Sequence, residues 1–241
     1  MSGHSHWATI KHKKGAADAK KGKMFSKLAK YIITAARNGG GDLDSNFKLR
    51  DAVEKARAVS MPRDNIERAI RRGSGAEDGI IFEELTYECY APGGVAILVD
   101  ILTDNRNRTS AELRKIVERA GGSMGAVGSV AWLFEKKALV TLEKSLIDED
   151  HLLELALDAG ATDVVDGGEL WEVTGAPEDL RAIKEALTKK GLALKTAEVA
   201  KVPKTYVPVD AARAQKILNF LEDLEDHDDV QSVSANPDMP E

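Results

Sequence analysis

The sequence predicts an α+β protein of three domains: an N-terminal basic helical bundle followed by two αβ modules of ferredoxin-like type, the middle one discontinuous. Three observations predict it. Apolar residues recur at helical spacing up to about residue 72, alternate at strand spacing from 82, and between 138 and 199 the elements follow the order βαββαβ. The boundaries drawn from these changes are a flexible basic arm over 1–22, a bundle over 23–78, a middle module made of 79–136 and 201–241, and an inserted module over 137–200.

Composition narrows the classes. The 241 residues are 43% apolar and 31% charged, with one cysteine, which is enough material for two or three small cores. No apolar run approaches the roughly 18 residues needed to cross a bilayer, and the first residues lack the apolar segment of a secretion signal. No membrane partner and a cytoplasmic location are therefore expected. Cys89, alone, excludes an intramolecular disulfide or a thiolate zinc site. The net charge of −6 is unevenly divided: residues 1–75 carry 17 Lys and Arg against 7 Asp and Glu, and residues 76–241 carry 17 against 33. A basic end on an acidic body points to a polyanionic partner, the other reading being a solvated surface whose ends attract one another.

Each element follows from its local pattern. Residues 1–22 hold too little apolar surface to order themselves. Over 23–38, Met24, Leu28, Tyr31 and Ala35 form one ridge and Phe25, Ala29, Ile32 and Ala36 the next, with Lys23, Lys27, Lys30 and Arg37 opposite. Glycines 39–41 stop this helix. A second helix is expected over about 46–60 with Phe47, Val53 and Ala56 inward, and a third from Pro62 to before Gly73, bearing Arg63, Arg68, Arg71 and Arg72. Residues 73–79 read as a linker. In 82–90, Leu85, Tyr87 and Cys89 alternate with Glu84, Thr86 and Glu88, which makes Cys89 a core residue rather than a nucleophile. After the turn at 92–94, the nearly continuous apolar run 95–102 reads as a central strand.

Thr109 and Glu112 have capping-box spacing, so a helix is expected to open near Thr109 and end at Gly121. The inserted module is read as a strand at 138–143, a helix at 148–158, strands at 162–166 and 169–174, a helix from Pro177 to Lys189 and a strand at 192–199. A helix capped by Asp210 and a strand at 229–235 follow. They are too small to fold alone, and the segment 82–135 lacks a second helix, so the two are joined into one two-layer module.

Candidate nucleic-acid contacts are Trp7, Lys11, His12, Lys13, Lys14, Lys20, Lys21, Lys23, Lys27 and Lys30, whose ammonium groups suit backbone phosphates. Trp7 either stacks on an unpaired base or docks the arm onto the body. Arg106 and Arg108, read as lying in the loop before a helix, either hold a phosphate beside free N–H groups or pair locally with Asp104. His4, His6 and His12 lack metal-ligand spacing, Gly22-Lys23-Met24 fails the phosphate-loop pattern, and no cofactor is expected. His151 has no nucleophile beside it by motif, so an enzyme is not expected. Glu222, Asp223, Glu225, Asp226, Asp228 and Asp229 read as a solvated helix end, or as a rival of nucleic acid for the basic arm. Acids at a helix C-terminus oppose its dipole, so their placement requires a further reason.

The stretches GHSHWATIKHKKGAADAKKGKMFSKLAKYI, NFKLRDAVEKARAVSMPRDNIERAIRRG, YECYAPGGVAILVDILTDNRNRTSAELR and GSVAWLF resemble the YebC family along the whole chain. That family includes bacterial proteins described as probable transcriptional regulators and a mitochondrial translational activator of cytochrome oxidase. The resemblance implies three domains, a discontinuous middle one, and no known catalysis. It also implies a role either on promoter DNA or on ribosomes, where members help translation through consecutive prolines. The matching positions are Trp7, Lys11, His12, Lys13, Lys14, Lys20, Lys21 and Lys23, with Arg106 and Arg108 as a second patch. Ribosomal RNA is the favoured partner, DNA the alternative, and a protein-binding adaptor the third reading; the oligomeric state is not legible.

Overall fold

The computed structural model describes residues 18–75 and 81–239, with side chains from residue 21 in the first segment. The element order opens with α1 (Asp18–Gly39), α2 (Phe47–Ala58) and α3 (Arg63–Ser74). Ile32, Ala35 and Ala36 of α1, Leu49, Ala52, Val53 and Ala56 of α2, and Ile66 and Ala69 of α3 make one apolar core. Gly73 lies where α3 crosses α1, and a Cβ there would collide with the Ile33 carbonyl and Ala36. Gly40, at φ +84°, takes the left-handed conformation that ends α1.

Three expectations change here. The first helix starts at Asp18, inside the segment read as an arm, because Asp18-Ala19-Lys20-Lys21 contains good helix formers and no breaker before Gly22. Phe47 is 75% exposed rather than inward. The inward place beside it belongs to the buried N-cap Asn46, whose amide donates to the carbonyls of Ala35 and Gly40 while its Oδ1 accepts from Leu49 N–H. Pro62 is the cap position of α3 rather than its first residue.

Two four-stranded sheets follow. The first contains β1 (Glu83–Tyr90), β2 (Ala96–Thr103), the short β3 (Ser123–Met124) and β9 (Val230–Ala235), in the order β3-β1-β2-β9. The chain reaches β9 only after the whole second sheet, and pairs it antiparallel to β2 from Ile97↔Ala235 to Ile101↔Val230. Helices α4 (Arg106–Arg119) and α7 (Ala211–Glu225) cover one face, where Ile97, Val99 and Ile101 meet Leu113, Val117, Ile217, Phe220 and Leu221. Ala96 and Leu98, on the other face of β2, pack on Val130 and Phe134. Burial on both faces is why β2 reads as a continuous apolar run. The chain order here is ββαβαβ, a two-layer relative of the ferredoxin-like arrangement with a different sequence of elements. Cys89 is buried, and burial pushes its thiol up to about 12.

The second sheet holds β4 (Phe134–Glu143), β5 (Ala161–Asp166), β6 (Leu170–Gly175) and β7 (Leu194–Pro203) in the order β5-β6-β4-β7, with α5 (Glu149–Asp158) and α6 (Leu180–Lys189) on one face. This is the βαββαβ arrangement read from the sequence. Strands β4 and β7 are longer than expected and pair from Phe134↔Pro203 to Leu142↔Leu194. A two-residue parallel pair, β8 (Val207–Pro208) with β10 (Pro237–Asp238), closes the chain.

Glu172, on β6, lies on the face away from α5 and α6. It is 6% exposed, its Oε1 has no hydrogen-bond partner, and burial raises its carboxyl from 4.5 to about 7. The folded chain therefore retains a proton that the unfolded chain releases between these values, and stability falls as pH rises through that window. Glu172→Gln is expected to unfold at a higher urea concentration than the parent at pH 8, by about 3 kcal/mol, and at the same concentration at pH 4. Equal stability at pH 8 would show that the carboxylate is accommodated.

Candidate nucleic-acid interface

Lys23, Lys27 and Lys30 occupy one face of α1 because residues three and four apart on a helix are neighbours. The structure sets this face against the end of α7. Lys23 Nζ donates to the Asp226 carbonyl at 3.3 Å, Lys27 Nζ to the Glu225 carbonyl, and Lys30 Nζ to the Asp228 carbonyl at 3.2 Å. Lys30 also bonds Asp229 Oδ1 at 2.6 Å. The last carbonyls of a helix lack internal partners and carry the negative end of its dipole. Lysines from another part of the chain satisfy them, which supplies the reason for placing acids there. Burial lowers the Lys27 ammonium, against the opposing fields of Glu225, Asp226 and Asp228.

Asp229 is the centre of this contact. Its side chain is 3% exposed. Oδ2 accepts from Thr109 Oγ1 at 2.6 Å, Arg108 Nη2 at 2.8 Å and Thr103 Oγ1 at 3.1 Å. Its N–H donates to His227 Nδ1, whose Nε2 lies 2.9 Å from Glu112. Its carbonyl accepts from Leu102 N–H at 2.8 Å. Burial alone would raise this carboxyl, but the bonds from Lys30, Thr109 and Arg108 outweigh it and hold it well below the usual carboxylate range.

Trp7, Lys11, His12, Lys13 and Lys14 lie outside the described residues, as do His4 and His6. Lys20 falls in the first turn of α1. Lys21 is exposed, its Nζ 5.9 Å from the Phe25 ring centre. Lys23, Lys27 and Lys30 do not form the open basic face expected of them. Arg106 and Arg108 do not precede their helix but form its first turn, because Asn105 caps it by accepting from Arg108 N–H. Thr109 is thereby turned inward to Asp229 instead of capping. The Arg108 guanidinium bonds Asp104 at 2.9 Å as well as Asp229, so of its two readings the pairing with Asp104 is the one present. Arg106 is exposed.

Sequence reasoning does not single out Asp229 from its acidic neighbours. The one local signal is the apolar Val230 immediately after it, which marks the point where the acidic run enters a buried strand. His151 is exposed and bonded to Asp148, the cap of α5, a local role. Among the described residues no group of three His, Cys, Asp or Glu is arranged to hold a metal, and no helix is long and apolar enough to cross a membrane.

The fold and this contact define a class of α+β protein in which a cationic helical bundle is docked, through lysine tips, on an acidic αβ body. A family model described as the TACO1/YebC protein N-terminal domain matches residues 5–76, and one described as the TACO1/YebC second and third domain matches residues 82–237. The chain belongs to the TACO1/YebC family. It is 54% identical over 242 residues to a probable transcriptional regulatory protein of Dictyoglomus thermophilum, covering 100% of this chain and 97% of that one. It is 51% identical over 241 residues to a protein of the same description from Treponema denticola, covering 100% and 98%. The crystal structure of a conserved hypothetical protein from Aquifex aeolicus is similar at a TM-score of 0.87 and 46% identity, covering 98% of each chain.

Removing the central carboxylate would take an acceptor from Lys30, Arg108, Thr103 and Thr109 at once, leaving Lys30 the Asp228 carbonyl and Arg108 only Asp104. Asp229→Ala is expected to lower stability by about 3 kcal/mol in urea unfolding, the usual cost of breaking a buried charged pair. Because the folded carboxyl titrates below its ordinary value, this contribution is complete above about pH 4 and is lost as acid is added. A loss under about 1 kcal/mol would be the size of a surface pair and would remove Asp229 from this central place.

Proposed function

We propose that this protein is a nonenzymatic regulator of gene expression that binds nucleic acid through its basic N-terminal third, with ribosomal RNA as the favoured partner and support of translation, including through proline-rich stretches, as its role. The observation that carries this is the division of charge: 17 basic against 7 acidic side chains over residues 1–75 on a chain whose total is −6. That end is where net positive charge is concentrated and a polyanion is attracted most. The lysines, glycines and small residues of the first segment suit phosphates on a crowded RNA surface better than a groove read base by base. A cytoplasmic location belongs to the same reading.

Binding to DNA as a transcriptional regulator is the second reading. It is favoured by the relatives, which are described as probable transcriptional regulatory proteins, and by α3, which exposes Arg63, Arg68 and Arg71. Sucrose-gradient cosedimentation separates the two. Ribosomal association is expected, whereas absence from every ribosomal fraction together with salt-resistant binding to one promoter would reverse the order. Reversal of Lys11, Lys13, Lys14, Lys20 and Lys21 to Glu is expected to abolish most affinity for RNA and to flatten its salt dependence by roughly 0.7 to 0.9 per lost phosphate contact. An adaptor that binds only protein would retain its partner after this change.

A further inference from the structure

We propose that the ridge Lys23, Lys27 and Lys30 is itself a binding site for a nucleic-acid phosphate backbone, filled in this structure by the α7–β9 turn of the same chain, and that nucleic acid binds there by displacing the turn. The inference rests on the proposed function and adds a site and its control.

The occupant of the ridge has the chemistry of a polyanion strand. Three lysine tips, spread over about 10 Å of helix, meet in order the carbonyls of Asp226, Glu225 and Asp228 and the carboxylate of Asp229. The same ammonium groups in the same row can donate equally well to phosphate oxygens, each phosphodiester carrying a full negative charge where a carbonyl carries only a partial one.

The contact is also built to part. The bundle has its own apolar core and the β1-β2-β9 module has another, and neither cluster includes residues of both α1 and α7. A cleft of about 660 Å³ separates them further along, between Leu28, Tyr31 and Lys55 on one side and β2, β7 and β9 on the other. The docking near α7 is therefore carried by polar groups that water or phosphate can replace. When Lys30 leaves, Asp229 keeps Arg108, Thr103 and Thr109, so the module it belongs to remains satisfied. Arg108 and Asp229 stay together, and the lysines alone are released.

The test tethers the contact without removing any lysine. Ser26→Cys on α1 and Asp226→Cys on the turn, both at exposed positions, are joined in the full-length chain by a reducible bismaleimide; Cys89, buried, does not compete for the reagent. Binding of a 20-nucleotide single-stranded RNA and of a 20-base-pair DNA is measured over a salt series before and after reduction. The tethered protein is expected to bind at least tenfold more weakly and with a salt slope smaller by roughly 2 to 3, the equivalent of three phosphate contacts. Reduction should restore both. Equal affinity and slope in the two forms overturn the site while leaving the proposed function standing, whereas absence of binding by the reduced form overturns both. A Lys23→Gln, Lys27→Gln variant, which leaves the Lys30–Asp229 pair intact, should show a slope smaller by roughly 1.4 to 1.8, and an unchanged slope overturns the site.

Discussion

A carboxylate taken out of water must be supplied with donors or it destabilises the fold that buries it. Asp229 is such a group, and its donors come from far apart in the chain: Lys30 from α1, Thr103 from the end of β2, Arg108 and Thr109 from the first turn of α4. The helical bundle, the hairpin and the C-terminal strand therefore have one relative arrangement in which all of these groups are satisfied. The same residue fixes where β9 begins, since its carbonyl takes the Leu102 N–H just before Val230 pairs with Ile101. The register of the first sheet and the seat of the bundle share a single anchor.

The polar seat contrasts with the interiors it joins. Each of the three bodies buries its own Ile, Leu, Val and Ala residues, and the largest interior belongs to the module that the chain completes last. Stability on this plan resides within the bodies. The two sheets also share the apolar contact of Ala96 and Leu98 with Phe134, whereas the seat of the bundle on the end of α7 is set by charged and hydrogen-bonded groups. Such groups are sensitive to salt and to competing ions in a way that apolar cores are not. The polyanionic partner proposed above would therefore act directly on that internal geometry.

Much of this was legible in the sequence because it is written locally. The alternation of Leu85, Tyr87 and Cys89 shows the core face of β1, but it misses Glu88, which is read as wet and is buried on the opposite face, accepting from the N–H groups of Gly128, Val130 and Ala131. The unbroken run through β2 shows a strand covered on both sides. Glycines mark the end of α1, and the element order of the inserted module is its topology. The errors arise where two local signals compete. Asn105 and Thr109 both qualify as caps, and the choice is made by Asp229, 120 residues away. Phe47 yields its place to Asn46 because a buried cap that serves the Ala35 carbonyl of α1 and the Gly40 carbonyl just beyond its end fits the gap better than a ring. The lysine ridge was legible as a pattern but not as a contact, since nothing within a few residues of Lys27 tells that the end of α7 faces it.

The route of the chain through the first sheet has a consequence for synthesis. Strand β2 is made early, yet its second partner, β9, emerges only after residue 230, when all of the inserted module has already left the ribosome. Domains fold as units in the order they are made, so the bundle is complete while the turn that will cover its lysines does not yet exist. For most of its own translation the nascent protein has that ridge without its cover, because the turn that meets the lysines lies just before β9, near the end of the chain.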